Sequence, residues 1–404
     1  MKVIVIGGGP AGCIAAITAS KGGNEVCILE KNEKLGKKLF ITGKGRCNIT
    51  NAADMKTVMD SVVSNPKFMY SAFNAFTNDD IVKMLEDEGC ATKVERGLRV
   101  FPVSDKSVDV IRALEKLIKK YSVKVKLHTA VKELLIEDDT CKGVILNNGE
   151  RINADKVIVA TGGLSYQSTG STGDGYRMVQ KAGIKVTELI PSLVPLETNK
   201  TNITSGISLK NVTARLYNEN KLLYEELGEM LFTHFGVSGP VILSASSYAG
   251  GILKNKSLRL EIDLKPGLDE EKLDARLLRD FEKNKNKELK NSLGELLISA
   301  LIDEVIRQSG VSPYKKVNEI TREERQMLIK ALKALTFTVT GTRGWNEAII
   351  TKGGISIKEI NPKTMESKKI KNLFFAGEVI DVDALTGGFN LQIAWSTGYA
   401  AGQG

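Results

Sequence analysis

Two histidines and five cysteines in 404 residues leave little material for metal chemistry. With only His128 and His234 present, a histidine-rich metal centre is excluded by number, and so is a mechanism that needs several imidazoles. The cysteines, Cys13, Cys27, Cys47, Cys90 and Cys141, are odd in number and none stands in a C-x-x-C pair. Neither a disulfide framework nor a zinc site follows, and no metal is expected. Long apolar runs are also missing: none reaches the ~18 residues of a membrane span. Met1-Lys2 before an apolar stretch has the outline of a signal peptide, but Gly7-Gly8-Gly9-Pro10 breaks that stretch at once. A cytoplasmic chain without a membrane partner is the expectation. There are no repeats and no low-complexity linker.

Acidic residues are outnumbered, 48 Asp and Glu against 57 Lys and Arg, for a net charge of +9. The lysines read as dispersed among acids. Even the densest run, Lys283-Asn284-Lys285-Asn286-Lys287, lies among glutamates. Solvated helix faces explain that pattern, so nucleic acid is not the expected partner.

At roughly 100–200 residues per domain the chain holds two or three. Lys2 to Ile6 is an apolar, β-branched run ending at glycine, the pattern of a buried strand. An alanine-rich helix from Pro10 to Gly22 and a second buried strand, Glu25 to Leu29, complete a βαβ unit. Ser107 to Tyr121 has one apolar helical face. Val123 to Leu127 and Gly143 to Leu146 read as strands of an antiparallel meander, with a turn at Asn147-Asn148-Gly149. Lys156 to Ala160 is a further buried strand. After Pro191 short alternating runs, such as Val212 to Tyr217 and Leu258 to Leu264, suit an antiparallel barrel or sandwich. Residues 266–335 have helical spacing, for example at Leu293, Leu296, Leu297, Leu301 and Ile302. Phe337 to Thr340 returns to strand, and the last fifty or so residues regain the Gly-rich apolar texture of the start. The layout is nested: a first domain is interrupted and resumes at the end.

The strand Val3–Ile6 runs into Gly7-Gly8-Gly9-Pro10-Ala11-Gly12, a G-x-G-x-x-G placed between strand and helix. Gly7 permits the tight turn, Gly9 lets backbone approach a diphosphate, and Gly12 lets the helix pack on the strand. The helix N-terminus adds free N–H groups and about half a positive charge. Glu30 closes the second strand, where a carboxylate accepts from ribose hydroxyls. The fingerprint serves FAD and NAD alike. The choice comes from other segments: Val157 to Gly163, with Ala160-Thr161-Gly162, resembles the strand-plus-ATG motif of two-dinucleotide-fold flavoproteins. Leu373 to Glu378 resembles their C-terminal FAD segment. Glu378, with Thr172-Gly173-Asp174-Gly175, resembles the fumarate-reductase-like branch.

The most specific string is Lys44-Gly45-Arg46-Cys47-Asn48 with Thr50-Asn51. Together with His234 to Pro240, Ala376 to Asp381, and Gly387 to Gln392, it resembles the BaiN-like family of NAD(P)/FAD-dependent oxidoreductases along essentially the whole chain. That family includes a reductase of 3-oxo-diene bile acids and an aminoacetone oxidase. The resemblance implies an α/β fold: a Rossmann-like FAD-binding domain, residues 1–190 and 356–404, carrying an inserted antiparallel β domain, 191–265 and 336–355, and a small helical domain, 266–335. It implies that Gly7, Gly9, Ala11, Gly12 and Glu30 hold the ADP half of FAD, with Pro10, Lys31 and Lys38 also among the cofactor-binding residues. Lys44, Gly45, Arg46, Cys47 and Asn48 would lie along the flavin. Val131 would meet adenine, Ala160, Thr161 and Gly162 would border the cofactor, and Gly377 and Glu378 would meet the ribityl and diphosphate. Asn390, Leu391, Gln392 and Ile393 would reach the isoalloxazine.

A helix opening at Gly387-Gly388 would face the charge that develops on a reduced flavin. At ~0.3–1 kcal/mol, or ~2 partly buried, and ~30 mV per 1.4 kcal/mol, this raises the potential by roughly 6–40 mV. That tunes the cofactor without setting the reaction. His234 is a candidate general acid or carboxylate ligand, or else a structural turn histidine. Arg343, between Gly341-Thr342 and Gly344-Trp345, is a candidate anion clamp, or else a salt-bridged hinge residue. No second G-x-G-x-x-G is present, so NAD(P)H is expected only as a transient co-substrate. The leading expectation is hydride transfer from NAD(P)H through FAD to an activated C=C bond of a small molecule. An amine oxidase using dioxygen and, from another class, an RNA-binding flavoprotein are the alternatives.

Overall fold

The computed structural model describes residues 1–199 and 205–404. They form two compact units, Met1–Ser192 with Trp345–Gly404, and Leu193–Gly344.

The first unit is built on a five-stranded parallel sheet. Its strands are β1 (Lys2–Ile6), β2 (Glu25–Leu29), β3 (Lys124–Lys126), β4 (Lys156–Val159) and β5 (Leu373–Phe375), in the order β5-β4-β1-β2-β3. The three apolar runs of β1, β4 and β5 sit side by side, and Val3–Ile6, Val157–Val159 and Leu373–Phe375 are all buried. Cover on both faces is what an uninterrupted apolar strand requires. Helix α1 (Pro10–Lys21) follows β1 and is buried from Ala11 to Ala19. Its small residues allow α2 (Phe389–Gln403) to lie directly against it: a Cβ on Gly398 would stand 2.4 Å from the Ala11 carbonyl oxygen. Trp395 of α2 is wholly buried and donates its indole N–H to the Ile49 carbonyl at 2.9 Å.

One strand expected in the meander lies elsewhere. Lys124–Lys126 pairs in parallel with β2 and is the outer strand of the main sheet. The meander is made by Val131–Glu137, Thr140–Leu146 and Arg151–Asn153. An edge strand is half solvated, so its alternation (exposed Lys124 and Lys126 around Val125) imitates an antiparallel strand.

The second unit contains a closed six-stranded barrel. Its strands run in the order Leu196–Thr198, Gly236–Ser238, Lys221–Thr233, Ser208–Asn218, Leu258–Asp263 and Leu335–Thr342. Alternating residues such as Leu258, Leu260 and Ile262 fill it, with Phe337 and Val339 from the neighbouring strand. Helices Glu270–Lys283, Ser299–Ser309 and Arg322–Lys333 belong to the same unit. Leu293, Leu296 and Leu297 are buried but lie in turns ahead of Ser299–Ser309, where Gly294 interrupts helix formation, although their spacing is helical. The first unit releases and recovers the chain through a short antiparallel pair, Ile190–Ser192 with Ile350–Lys352.

Candidate functional site

The carboxyl ends of β1, β4 and β5, with the starts of α1 and α2, surround one cavity of about 1350 Å³, its open mouth included. Its geometry begins with Gly7, which leaves β1 at φ 103°. A Cβ there would stand 2.6 Å from the Ala160 carbonyl oxygen, so the turn packs directly on the end of β4. One turn later, a Cβ on Gly12 would lie 2.0 Å from the Gly7 carbonyl oxygen. Glycine at both places lets the backbone fold back closely enough to aim the first N–H groups of α1 into the cavity.

Both helices that open on the cavity begin without neutralisation. Neither α1 nor α2 has a side-chain cap or an acidic residue in its first turn. Helix ends left this way favour anionic groups. The cavity wall includes Gly9, Pro10 and Ala11 from one helix start and Asn390, Leu391, Ile393 and Ala394 from the other. Two positive helix ends therefore serve a single cavity.

Two carboxylates organise its length. Glu30 accepts the Gly8 N–H on Oε2 at 2.7 Å, and the Asn32 backbone and amide N–H groups on Oε1, both at 2.8 Å. Asn32 is tied in turn to the Thr169 carbonyl. The carboxylate is fixed in direction and keeps acceptor capacity for a ribose hydroxyl. Glu378 is the second centre. Its Oε2 accepts from Lys38 Nζ at 2.7 Å, and its Oε1 from the Ser165 hydroxyl at 2.9 Å and the Thr351 N–H at 2.8 Å. Beyond Glu30, Lys31 is bound to Asp174 and to the Thr172 hydroxyl. Burial pushes the Asp174 carboxyl up, but the bond to Lys31 and that ammonium charge hold it below its ordinary value. Thr161 Oγ1 is buried at the wall without a hydrogen-bond partner. That oxygen is packed against Gly175, where a Cβ would stand 2.1 Å from it; it is the two uncapped helix starts and the two directed carboxylates around one cavity that fit a polar, anionic cofactor.

Sixteen of the expected cofactor residues meet at this one cavity. They are Gly7, Gly9, Pro10, Ala11, Glu30, Lys31, Lys38, Val131, Ala160, Thr161, Gly162, Gly377, Glu378, Asn390, Leu391 and Ile393. Gly12 lies beneath the turn rather than on the wall. The string Lys44–Asn48 and Gln392 are not part of the wall. Arg46 is committed to Glu95 and Asp105 and stacks over Phe101. Cys47 is fully buried, and burial, with Cys90 nearby, pushes its thiol well up, which fits a packing role. Asn48 Oδ1 is buried and unpartnered. Gln392 is wholly buried and joins Thr50, Ser396 and the Phe76 carbonyl, so it points into the interior while its helix neighbours face the cavity. This follows from a 100° step per helical residue. His234 and Arg343 belong to the second unit. His234 packs edge-on against Phe235, with ring centroids 5.0 Å apart. Arg343 bonds Glu197 at 3.2 Å and covers the Phe235 ring.

Ser165, Thr351 and Asn32 are absent from the sequence expectations. Ser165 and Thr351 reach Glu378 from 213 and 27 residues away. No local motif marks them. Asp174 stands in the quoted Thr172-to-Gly175 string, and its pairing with Lys31 is the signal that string carried.

The family described as HI0933-like protein, Rossmann domain, matches residues 1–404. The chain belongs to this family. A BaiN-like HI0933 relative, the 3-dehydro-bile acid delta(4,6)-reductase of Clostridium scindens, is 31% identical over 100% of this chain and 98% of its own. The ribosomal RNA dihydrouridine synthase of Haemophilus influenzae is 33% identical over 98% of this chain and 96% of its own. The synthase of the same name from Escherichia coli is 31% identical over 99% and 96%. Among solved structures, a 3-ketosteroid-delta4-(5alpha)-dehydrogenase from Rhodococcus jostii has the same fold, at TM-score 0.54 and 16% identity over 99% of this chain and 96% of that one. HI0933-like membership makes this chain an enzyme of the FAD-dependent oxidoreductase type. Among the described residues no helix is long and apolar enough to cross a membrane.

Proposed function

We propose that this enzyme is an FAD-dependent reductase that adds a hydride and a proton across a C=C bond conjugated to a carbonyl. The observation that carries the cofactor assignment is the single cavity bounded by two uncapped helix starts and spaced by Glu30 and Glu378. In this reading Gly7 to Gly12 present N–H groups to the diphosphate, with Glu30 on the ribose and Lys31 and Val131 at the adenosine end. Lys38, Gly377 and Glu378 take the middle of the cofactor, and Asn390, Leu391 and Ile393 border its ring. Gln392 packs on the buried side of the same helix, and Lys44 to Asn48 follow the wall residue Thr42 along the chain. Bound FAD supplies two-electron hydride chemistry; the protein orients it and excludes water.

The acceptor class rests on the relatives. A delta(4,6)-reductase and a dihydrouridine synthase are named for one kind of bond change, saturation of a C=C beside a carbonyl. The reductant in this proposal is NAD(P)H, which visits and leaves, because no second fingerprint holds it. His234 is proposed as the proton donor. His234→Gln should slow acceptor turnover while leaving reduction of the flavin by NAD(P)H intact.

The test is anaerobic titration of the yellow protein with NADH and NADPH, followed by addition of enones, uridine-containing RNA and amines. Bleaching by a nicotinamide and recolouring by an enone or by RNA is the expected result. If amines bleach the flavin, nicotinamides do not, and dioxygen restores the colour within milliseconds, the enzyme is an amine oxidase and the proposal fails.

A second reading places the C=C bond in the uracil ring of an RNA. It is favoured by the net charge of +9 and by the two full-length relatives named as ribosomal RNA dihydrouridine synthases. Its signature is an RNA that gains two hydrogens at a uridine, read by mass spectrometry.

A further inference from the structure

Two segments are locally rich in positive charge. Residues 31–46 hold six basic residues against Glu33 alone, and residues 92–106 hold four against Glu95 and Asp105. Together these two segments carry a net +7. They are also joined in space: Arg46 bonds Glu95 and Asp105, and the Gly45 carbonyl accepts from the Ser107 N–H. The three acids are occupied internally, Glu33 by Lys37, and Glu95 and Asp105 by Arg46 and Lys93. Lys34, Lys44, Arg99 and Lys106 have no carboxylate partner among the described residues.

The same segments expose apolar side chains. Five of the fourteen large hydrophobic residues exposed among the described ones lie here, including Phe40 at 44% and Leu98 at 49%. Leu98 is held at φ 57°, a left-handed conformation that costs a leucine about 1 kcal/mol or more. An exposed leucine in a strained turn is a poor choice for stability alone. The surface also reaches the cavity. Lys37, Lys38 and Thr42 line it, and the Asn51 amide donates to the Gly97 carbonyl of one segment and to the Gly387 carbonyl at the start of α2, each at 3.0 Å.

Resting on the RNA reading of the acceptor, we propose that this rim is the docking surface for an RNA that delivers an unstacked base to the cavity. Unpaired cations beside apolar and aromatic side chains are the chemistry that holds a flexible polyphosphate and lets bases stack. A base must leave its stack to be reduced, and the rim adjoins the cavity mouth where it would enter.

The experiment is fluorescence anisotropy of a fluorescein-labelled RNA hairpin with uridines in its loop, titrated with oxidised holoprotein across a salt series. K34A/R99A/K106A should weaken binding at least tenfold and flatten the log K against log salt slope by about 0.7 per residue, roughly 2 in all. Flavin content and circular dichroism of this variant should match the wild type. K283A/K285A/K287A, on the other basic run, should bind as the wild type does. Phe40→Ala should weaken binding without changing the slope. No RNA binding, a rim variant with unchanged affinity and slope, loss confined to the 283–287 variant, or binding to anionic lipid vesicles in place of RNA would each overturn the proposal. RNA bound at the rim but never reduced would leave the surface standing and remove the substrate reading. Reduced RNA with fully active rim variants would do the opposite.

Discussion

Replacing Glu378 by alanine isolates the network that divides the cavity. Three donors converge on this carboxylate, Lys38, Ser165 and the Thr351 N–H, at 2.7–2.9 Å. Lys38 also bonds Ser165 at 2.7 Å, so its ammonium keeps one partner in the variant. Thr351 is 1% exposed and its N–H would be left without an acceptor, at a cost of about 1–3 kcal/mol. The Lys38–Glu378 pair is roughly a fifth exposed on each side, so its loss adds only about 1 kcal/mol after solvent screening. A total of about 2–4 kcal/mol, felt at the wall that receives the cofactor, corresponds to FAD binding roughly 30–900-fold weaker. Glu378→Gln keeps an acceptor for Thr351 and Ser165 and turns an amide toward Lys38. It should cost ~1 kcal/mol, or about fivefold. Recovery of free-flavin fluorescence on dilution measures both constants. An alanine variant that holds FAD as tightly as the wild type, or a glutamine variant as damaged as alanine, refutes the reasoning.

Gly12→Ala inserts a methyl 2.0 Å from the Gly7 carbonyl oxygen. Overpacking of ~1–3 kcal/mol, offset by ~1 kcal/mol of helix propensity, should leave a net loss of up to ~2 kcal/mol, visible as a lower melting temperature and weaker FAD retention. A more stable variant would contradict the packing. Asp383 is 1% exposed, and burial pushes its carboxyl above the 3.8 of a free aspartate, with Lys352 and the Ser64 side chain opposing and Asp381 adding to the rise. Because the folded value is raised, the unfolded chain loses the proton first, and stability falls as pH rises from 3.8 toward the folded value. Asp383→Asn should therefore melt higher than the wild type at neutral pH, with the difference closing in acid; lower melting throughout would refute this. Burial raises the thiols of Cys13, to about 12, and Cys90, to about 11, and also that of Cys47. Alkylation of the native protein should reach Cys27 at most, and Cys47→Ser should keep its flavin and its activity. Rapid labelling of Cys47, read by peptide mass spectrometry, would show that it is not a packing residue.

Much of the cavity was readable because dinucleotide recognition is local. Strand, glycine turn and helix are consecutive, and Glu30 follows from the length of one βαβ unit. The Ala160-to-Gly162 and Ala376-to-Glu378 segments were legible for a related reason: each closes a buried apolar strand, and strand ends in a parallel sheet share one edge. Side-chain direction was less accessible. Gln392 sits in a segment that borders the cavity, yet it faces inward because of its angular position on α2. Lys44 to Asn48, the most specific string, is not on the cavity wall, and its Arg46 is drawn to Glu95 and Asp105, a pairing that no spacing rule foretells. The edge strand Lys124–Lys126 was assigned to the wrong sheet because a half-exposed strand has the same alternation in either.

By itself the sequence determined the strand-turn-helix start, the nested order of the two units, and the dinucleotide chemistry of the glycine turn. These depend on contacts within about thirty residues or on apolar periodicity. Only the tertiary structure decided that the starts of α1 and α2 open on one cavity, that Glu378 gathers Lys38, Ser165 and Thr351, and that two basic segments distant in sequence are joined. Those arrangements join residues far apart in the chain, and they exist only once burial of the sheet has brought its strand ends to one edge.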